Sequence, residues 1–327
     1  MSNDSYQVKI DKIKEEILQA KSSLINLNEQ LEVFENLHDD SIKPILSKNI
    51  ILTLAKLVED IEKENLSLIN LMAVLRFVFE SLIVTNLIIN EKNYDKRIFY
   101  SIFLQQSNKI EKMIIKLEKE IELLEQFEKR ENEIFSQVPN DVSNKEEVSK
   151  FIEEQKQTAN QLYEELNNHF TIFMTGVEHN GMGFHKALLQ KQLLPKYKEI
   201  ENEIKTETSN ITKILSKDDE LNTQFDIRRQ ASRVLKKLKD DRGWFSKASE
   251  IGLEDEYNFV YELTSSLMHF TSYAVTTPSE LQEEEKLMCY NLINKYLNKI
   301  SNNLYKYNNI PPSLRINVIR IDDESKN

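Results

Sequence analysis

Chain breakers are scarce in this sequence, with five glycines and six prolines in 327 residues. Sheets need frequent turns and draw on Gly and Pro to make them, so the scarcity argues against a strand-dominated architecture and for long helices. The single cysteine, Cys289, excludes an intramolecular disulfide and a cysteine-based zinc site, and it fits a reducing compartment. Beside Met288 on an apolar helix face, this thiol reads as inert packing. Positive charge is also short, since 43 Lys and Arg against 54 Asp and Glu leave a net charge of −11. Phosphate binding depends on cations, so any contact with nucleic acid or anionic lipid has to be local. The start, MSNDSYQVKIDKIKEE, carries no apolar signal core, and the expectation is a cytoplasmic protein.

Long hydrophobic runs are missing with one exception, SLINLMAVLRFVFESLIVTNLIIN at 67 to 90. It approaches the length that spans a bilayer, about 20 apolar residues. Arg76 and Glu80 stand at its centre, and each costs roughly 2.5 to 3.5 kcal/mol there on insertion scales. The segment therefore reads as the buried central helix of a soluble bundle, with no membrane as partner.

Helical periodicity fills the rest. Ile10, Ile13, Ile17, Ala20, Leu24, Leu27, Leu31 and Phe34 alternate steps of three and four, which is a coiled-coil seam. His38-Asp39-Asp40-Ser41 closes it as an exposed loop, and Pro44 lies in the first turn of a second helix running from about 45 to 89. A third helix of about 40 residues follows a turn ending at Asp95, and the narrow stripe of its second half suggests pairing with the first helix as a projecting antiparallel arm. Pro139-Asn140-Asp141 breaks the chain. A fourth helix to about 174, a loop TGVEHNGMGF at 175 to 184, and a helix restarted at Pro195 with Ile200, Ile204, Ile211 and Ile214 facing inward come next. A short helix with Trp244 and Phe245 stops at Gly252, a helix covers Glu254 to Thr271, and Pro278-Ser279 with Gln282 starts the last one. The expected organisation is all-α: residues 1–138 as a long-helix arm plus central helix, 139–310 as a helical bundle packing on 45–100, and 311–327 as a tail whose SLRINVIRI alternates like a strand.

Several groups are candidates for chemistry. Arg76 and Glu80 lie one turn apart on a face with Ile69, Ala73, Ile83 and Leu87, so both should point inward. They form either an internal ion pair that fixes register or the lining of a pocket, where Arg76 binds an anion or Glu80 orients a base. Tyr261, Ser265 and His269 follow at four-residue steps along one helix stripe. His269 is either a satisfied core histidine or a general acid/base. Glu178, His179 and His185, with His169 upstream, lack metal-ligand spacing, so no metal or cofactor is expected there. The run RRQASRVLKKLKDDR at 228 to 242 holds seven Lys or Arg against two Asp. Its Arg229, Arg233, Lys236 and Lys237 make either a solvated face or a local phosphate contact.

Three blocks together, RFVFESLIVTNLI at 76 to 88, DRGWFSKASEIGLEDEY at 241 to 257 and YELTSSLMH at 261 to 269, resemble a widespread prokaryotic helical family classed as a domain of unknown function. The likeness covers residues 50 to 275. It implies that Arg76 and Glu80 act with Tyr261, Ser265 or Ser266, and His269. The arrangement is also similar to the HEPN class of helical toxin and defence domains, whose ribonuclease members cleave RNA without metal using an Arg shortly before a His. Here Glu262, Leu263 and Thr264 stand where that Arg would be. Two functional expectations result. The first is a non-enzymatic interaction or ligand-sensing protein in a bacterial defence setting, engaging a protein partner or a second copy through the coiled-coil arm. The second is a metal-independent ribonuclease or nucleotide-acting enzyme with RNA or a nucleotide as ligand, in which His269 serves as acid/base, Tyr261 and Ser265 position it, Arg76 stabilises phosphate and Arg229 and Arg233 guide RNA.

Overall fold

A computed structural model describes residues 3–35, 42–61, 66–136, 144–169, 171–173, 177–215, 217–225, 238–268 and 281–311. The fold is all-α, with no strand among the described residues. Two compact units divide the chain. One comprises Met1–Phe99 with Lys239–Asn327, and the other Tyr100–Leu238. The division lies at 99/100 and 238/239 and not at the break read near 138, because the last helix of the chain packs on the first.

The first unit contains α1 (Asn3–Glu35), α2 (Ile42–Glu59), α3 (Leu68–Asn90), the start of α4 (Tyr94–Ser136), α10 (Trp244–Glu250), α11 (Glu254–Met268) and α12 (Glu283–Tyr307). The seam residues Ile10, Ile17, Ala20, Leu24, Leu27 and Leu31 are all buried, but in one core with side chains of α2, α3 and α12. The seam expected to build an arm with the third helix is thus covered by helices of its own unit. It faces α12 and α2.

The central apolar segment supplies the middle of this core, with Leu71, Met72, Leu75, Val78, Phe79 and Leu82 buried. By length and composition α3 could cross a membrane, yet here it packs on α11 and α12. Its cover is incomplete, since Ile69, Phe77 and Ile89 are exposed. The single helix expected over 45 to 89 is two. Ser67 takes extended backbone and its hydroxyl accepts the Asn70 N–H at 3.3 Å, so a polar cap starts α3 where no Gly or Pro marks a break. At the next junction Asn93 adopts φ +60°, and Asp95 lies inside the first turn of α4, accepting the Tyr307 hydroxyl at 2.7 Å.

Gly252 is the C′ residue of α10, as its position suggested. Its φ is +69°, its N–H reaches the Ser249 carbonyl at 3.1 Å, and the Leu253 N–H reaches Ala248 at 2.8 Å, the paired bonds of a Schellman ending. The cap of α12 is Gln282 and not Ser279, and the Glu285 carboxylate accepts the Gln282 N–H at 2.9 Å.

The second unit holds the rest of α4, then α5 (Lys145–Asn167), α6 (Val177–Asn180), α7 (Met182–Leu188), a π-helical segment Leu189–Leu193, α8 (Leu194–Leu215) and α9 (Asp219–Phe225). The α4 stripe of Leu117, Ile121, Leu124 and Phe127 packs with Leu162, Leu166, Val177, Met182 and Leu189. Pro195 cannot donate a backbone hydrogen bond, and the widened π segment lies just before it, where the Leu194 N–H bonds Leu189. Inward-facing Ile214 was expected in α8, but Ile214 is exposed and its neighbour Leu215 is buried.

The stretch expected to be a flexible loop at 175 to 184 instead holds two helical pieces from 177 onward. Two buried carboxylates of α4 organise it and the residues before it. Glu120 accepts the N–H groups of Ile172 and Phe173 at 2.7 and 3.0 Å, and Glu131 accepts the Met182 N–H at 3.3 Å and the Tyr163 hydroxyl. Free backbone donors thereby find charged acceptors without regular helix, which breaker composition does not reveal.

Candidate functional site

On α3 the four-residue spacing of Arg76 and Glu80 sets both side chains on one stripe. On α11 the same spacing aligns Tyr257, Tyr261 and Ser265. The two helices pack together, and the stripes meet. Arg76 Nε donates to Glu80 Oε1 at 3.0 Å, and Nη1 donates to Ser265 Oγ at 3.4 Å. The guanidinium lies 4.9 Å from the centroid of the Tyr261 ring, within cation–π range. Tyr261 stacks on Tyr257 at 5.3 Å and 19°, and Phe245 of α10 meets Tyr257 edge-on at 5.9 Å. Burial, the neighbouring Tyr261 and Glu80 raise the Tyr257 pKa, against the opposing charge of Arg76.

Four of the five residues singled out in the sequence therefore come together. They lie at a rim and not in the core. The side chains of Arg76 and Glu80 are 25% and 24% exposed, Tyr261 is 41% exposed, and Ile69, which shares their face of α3, is largely open to solvent. Ser265 and not Ser266 meets Arg76, and the Ser266 hydroxyl donates to the Leu263 carbonyl. His269 lies outside the described residues, as do Arg229, Arg233, Lys236 and Lys237, the loop residue His38, the Pro139 break and the 313–321 tail.

The remaining histidines are dispersed. His169 at the end of α5 sets its ring 5.6 Å from Phe127, and His179 is exposed with Glu178 at 3.7 Å. His185 is only 5% exposed on the buried side of α7, and neither ring nitrogen has a hydrogen-bond partner. Among the described residues no group of three or more His, Cys, Asp and Glu side chains is arranged to hold a metal ion.

Sequence reasoning missed a second polar cluster in the same unit. Arg242, read there as the end of a basic run, donates to Asp240 Oδ1 at 2.8 Å, to Glu91 Oε2 at 2.7 Å and to Glu250. Arg97 pairs with Glu91 at 2.6 Å, the Tyr94 hydroxyl donates to Asp240 at 3.0 Å, and Lys247 lies 3.3 Å from the same carboxylate. Burial raises the Asp240 pKa, but the bonds from Arg242, the charge of Lys247 and the Tyr94 hydroxyl outweigh it and hold the carboxyl well below its usual range. The one local signal was Asp240 two residues before Arg242, since Glu91 is remote in sequence. Every member of this cluster bonds another member, so it works as a clasp joining the α3–α4 turn to α10.

No family model matches the chain, and no curated protein or solved structure matches it.

Proposed function

We propose that this chain is a non-enzymatic interaction or ligand-sensing protein of the bacterial cytoplasm, serving defence, and that the rim shared by α3 and α11 is where it engages what it recognises. The supporting observation is the state of that rim. Arg76 is already held by Glu80, Ser265 and the Tyr261 ring, while Tyr261 keeps much of its surface open to solvent. Groups that satisfy one another and leave rings outward suit recognition by contact, where rigid aromatic anchors supply most of the binding energy. The α1 seam is buried in the core of its unit, and this reading therefore places the partner at the rim.

A second reading draws on the same geometry. Arg76 touches Ser265 and Tyr261 across a sequence separation of 189 for the Ser265 contact, so a cation, a hydroxyl and a phenol come together as a phosphate-handling enzyme requires. In that reading His269 is the acid/base and Arg229 and Arg233 guide RNA. The deciding experiment incubates the purified full chain, and its His269→Ala variant, with labelled single-stranded RNA and with nucleoside triphosphates in EDTA. The interaction reading expects both substrates to stay intact. Turnover by the wild type that disappears in His269→Ala overturns it in favour of the enzyme.

A further inference from the structure

We infer that the open face of α3 is the contact through which two copies of this chain pair, antiparallel about a two-fold axis. This rests on the interaction reading and names its partner as a second copy. α3 is the most apolar of the long helices, yet only 56% of its most apolar stretch is buried. What stays open is not scattered. Ile69, Ala73, Phe77, Glu80 and Val84 follow at steps of four, four, three and four, so they lie on one stripe. Ile69 is 59% exposed and Phe77 39%, with Ala73 and Val84 half-buried. Tyr261 of α11, resting on Arg76 and open to solvent itself, borders the stripe. Single exposed apolar side chains are ordinary on a protein surface, but an unbroken stripe along one helix is a patch.

Charge selects the occupant. Arg76 and Glu80 are the only charged residues of α3, and they bond each other at 3.0 Å, so the face carries no net charge. A segment rich in one sign of charge finds no free counter-charge there. A purely apolar segment covers the exposed edges of both charges and gives them nothing in return. A second copy brings the same pair, and an antiparallel two-fold reverses its order. With the axis at the level of Val78, midway between the two charges, each Arg76 stands level with the partner's Glu80. The two pairs then form one cluster of alternating sign, the self-complementarity that a two-fold contact requires.

Neutrality also matters at longer range. The chain carries a net charge of −11, so two copies repel over most of their surfaces and meet at least cost where that charge is absent. The shape of the stripe suits a facing helix. Ala73 is small and stands between Ile69 and Phe77, so it lets a second rod approach while its two larger neighbours fill the grooves beside it.

The test is sedimentation velocity of the full chain over a wide range of concentration. Expected is a reversible monomer–dimer equilibrium. In Phe77→Asp its dissociation constant should rise about a hundredfold or more, because a two-fold contact counts each substitution twice. Ile152→Asp, at an exposed aliphatic side chain of the other unit, should associate like wild type. A second measurement fixes the geometry and stands by itself should Phe77→Asp not fold. A short bis-maleimide should link Phe77→Cys, next to the axis, into a covalent dimer and leave Ile69→Cys, more than two turns from it, unlinked. Wild type, whose one thiol is the buried Cys289, is the blank. A monomer at every concentration, a dimer indifferent to Phe77→Asp, or linkage through Ile69→Cys and not Phe77→Cys overturns the assignment. A monomeric mass while RNA stays intact in EDTA removes only the second copy as partner, whereas RNA turnover lost in His269→Ala removes the interaction reading itself.

Discussion

Tyr296 shows what a buried polar atom costs when nothing meets it. Its ring packs 5.2 Å from Phe79, and its hydroxyl is buried without a hydrogen-bond partner. Burial, with a smaller effect from Glu256, pushes the phenol up to about 12. Tyr296→Phe removes the orphaned group and keeps the ring, so the variant should gain about 1 kcal/mol, read as a higher urea midpoint at unchanged slope. Asp240 is the opposite case, a carboxylate with its partners in place. Its folded pKa is lowered, so its stabilisation is complete above the ordinary carboxylate value near 4 and is lost as pH falls through the lower folded value. Asp240→Asn should cost about 3 kcal/mol at pH 7, because it leaves Arg242 and Lys247 poorly compensated. Denaturant midpoints of parent and variant should converge below pH 4, and a constant gap at all pH values would deny the clasp its charge. Cys289 is buried, and burial together with Glu285 pushes its thiol up to about 12, in keeping with the packing role read from its apolar neighbours.

At the scale of elements, ends proved harder to read than interiors. Gly252 was legible because a φ of +69° after a short amphipathic helix is a position that glycine fills without strain. A Cβ there would meet no atom within 4 Å, so Gly252→Ala should pay only for its backbone, about 1 kcal/mol, seen as a lower melting temperature. The division between α2 and α3 was not legible. Ser67 caps a helix with a hydroxyl, and a serine inside an apolar periodic run carries no sign that it will do so. The folded stretch from Val177 to Leu188 was hidden for a related reason. Its glycines read as loop, yet the carboxylate of Glu131 on α4 holds the Met182 N–H, and a Cβ on Gly183 would come within 2.7 Å of Glu128.

For the molecule as a whole, the role of α1 has the largest consequence. Ile17, Leu24 and Leu27 are fully buried, and Ile10, Ala20 and Leu31 nearly so, against α12 and α2. Each large side chain contributes about 1.5 to 3 kcal/mol by burial, so the helix accounts for a sum comparable to the net stability of a domain. Deleting residues 1–35 should therefore abolish cooperative unfolding of the first unit. A soluble fragment with a sharp thermal transition by circular dichroism would instead fit the projecting arm that its heptads first suggested.

Spacing along the chain by itself determined the all-α class, the buried stripe of α1, the central place of the apolar segment and the common stripe of Arg76 and Glu80, because each depends on residues within a few helical turns. Tertiary structure alone decided which helices cover the α1 stripe, that Arg76 meets Tyr261 and Ser265 at a solvent-facing rim, and that Arg242 closes a clasp with Glu91. Those outcomes depend on which surfaces fit together after collapse. Helical periodicity states which face of a rod must be covered, and only packing in three dimensions selects what covers it.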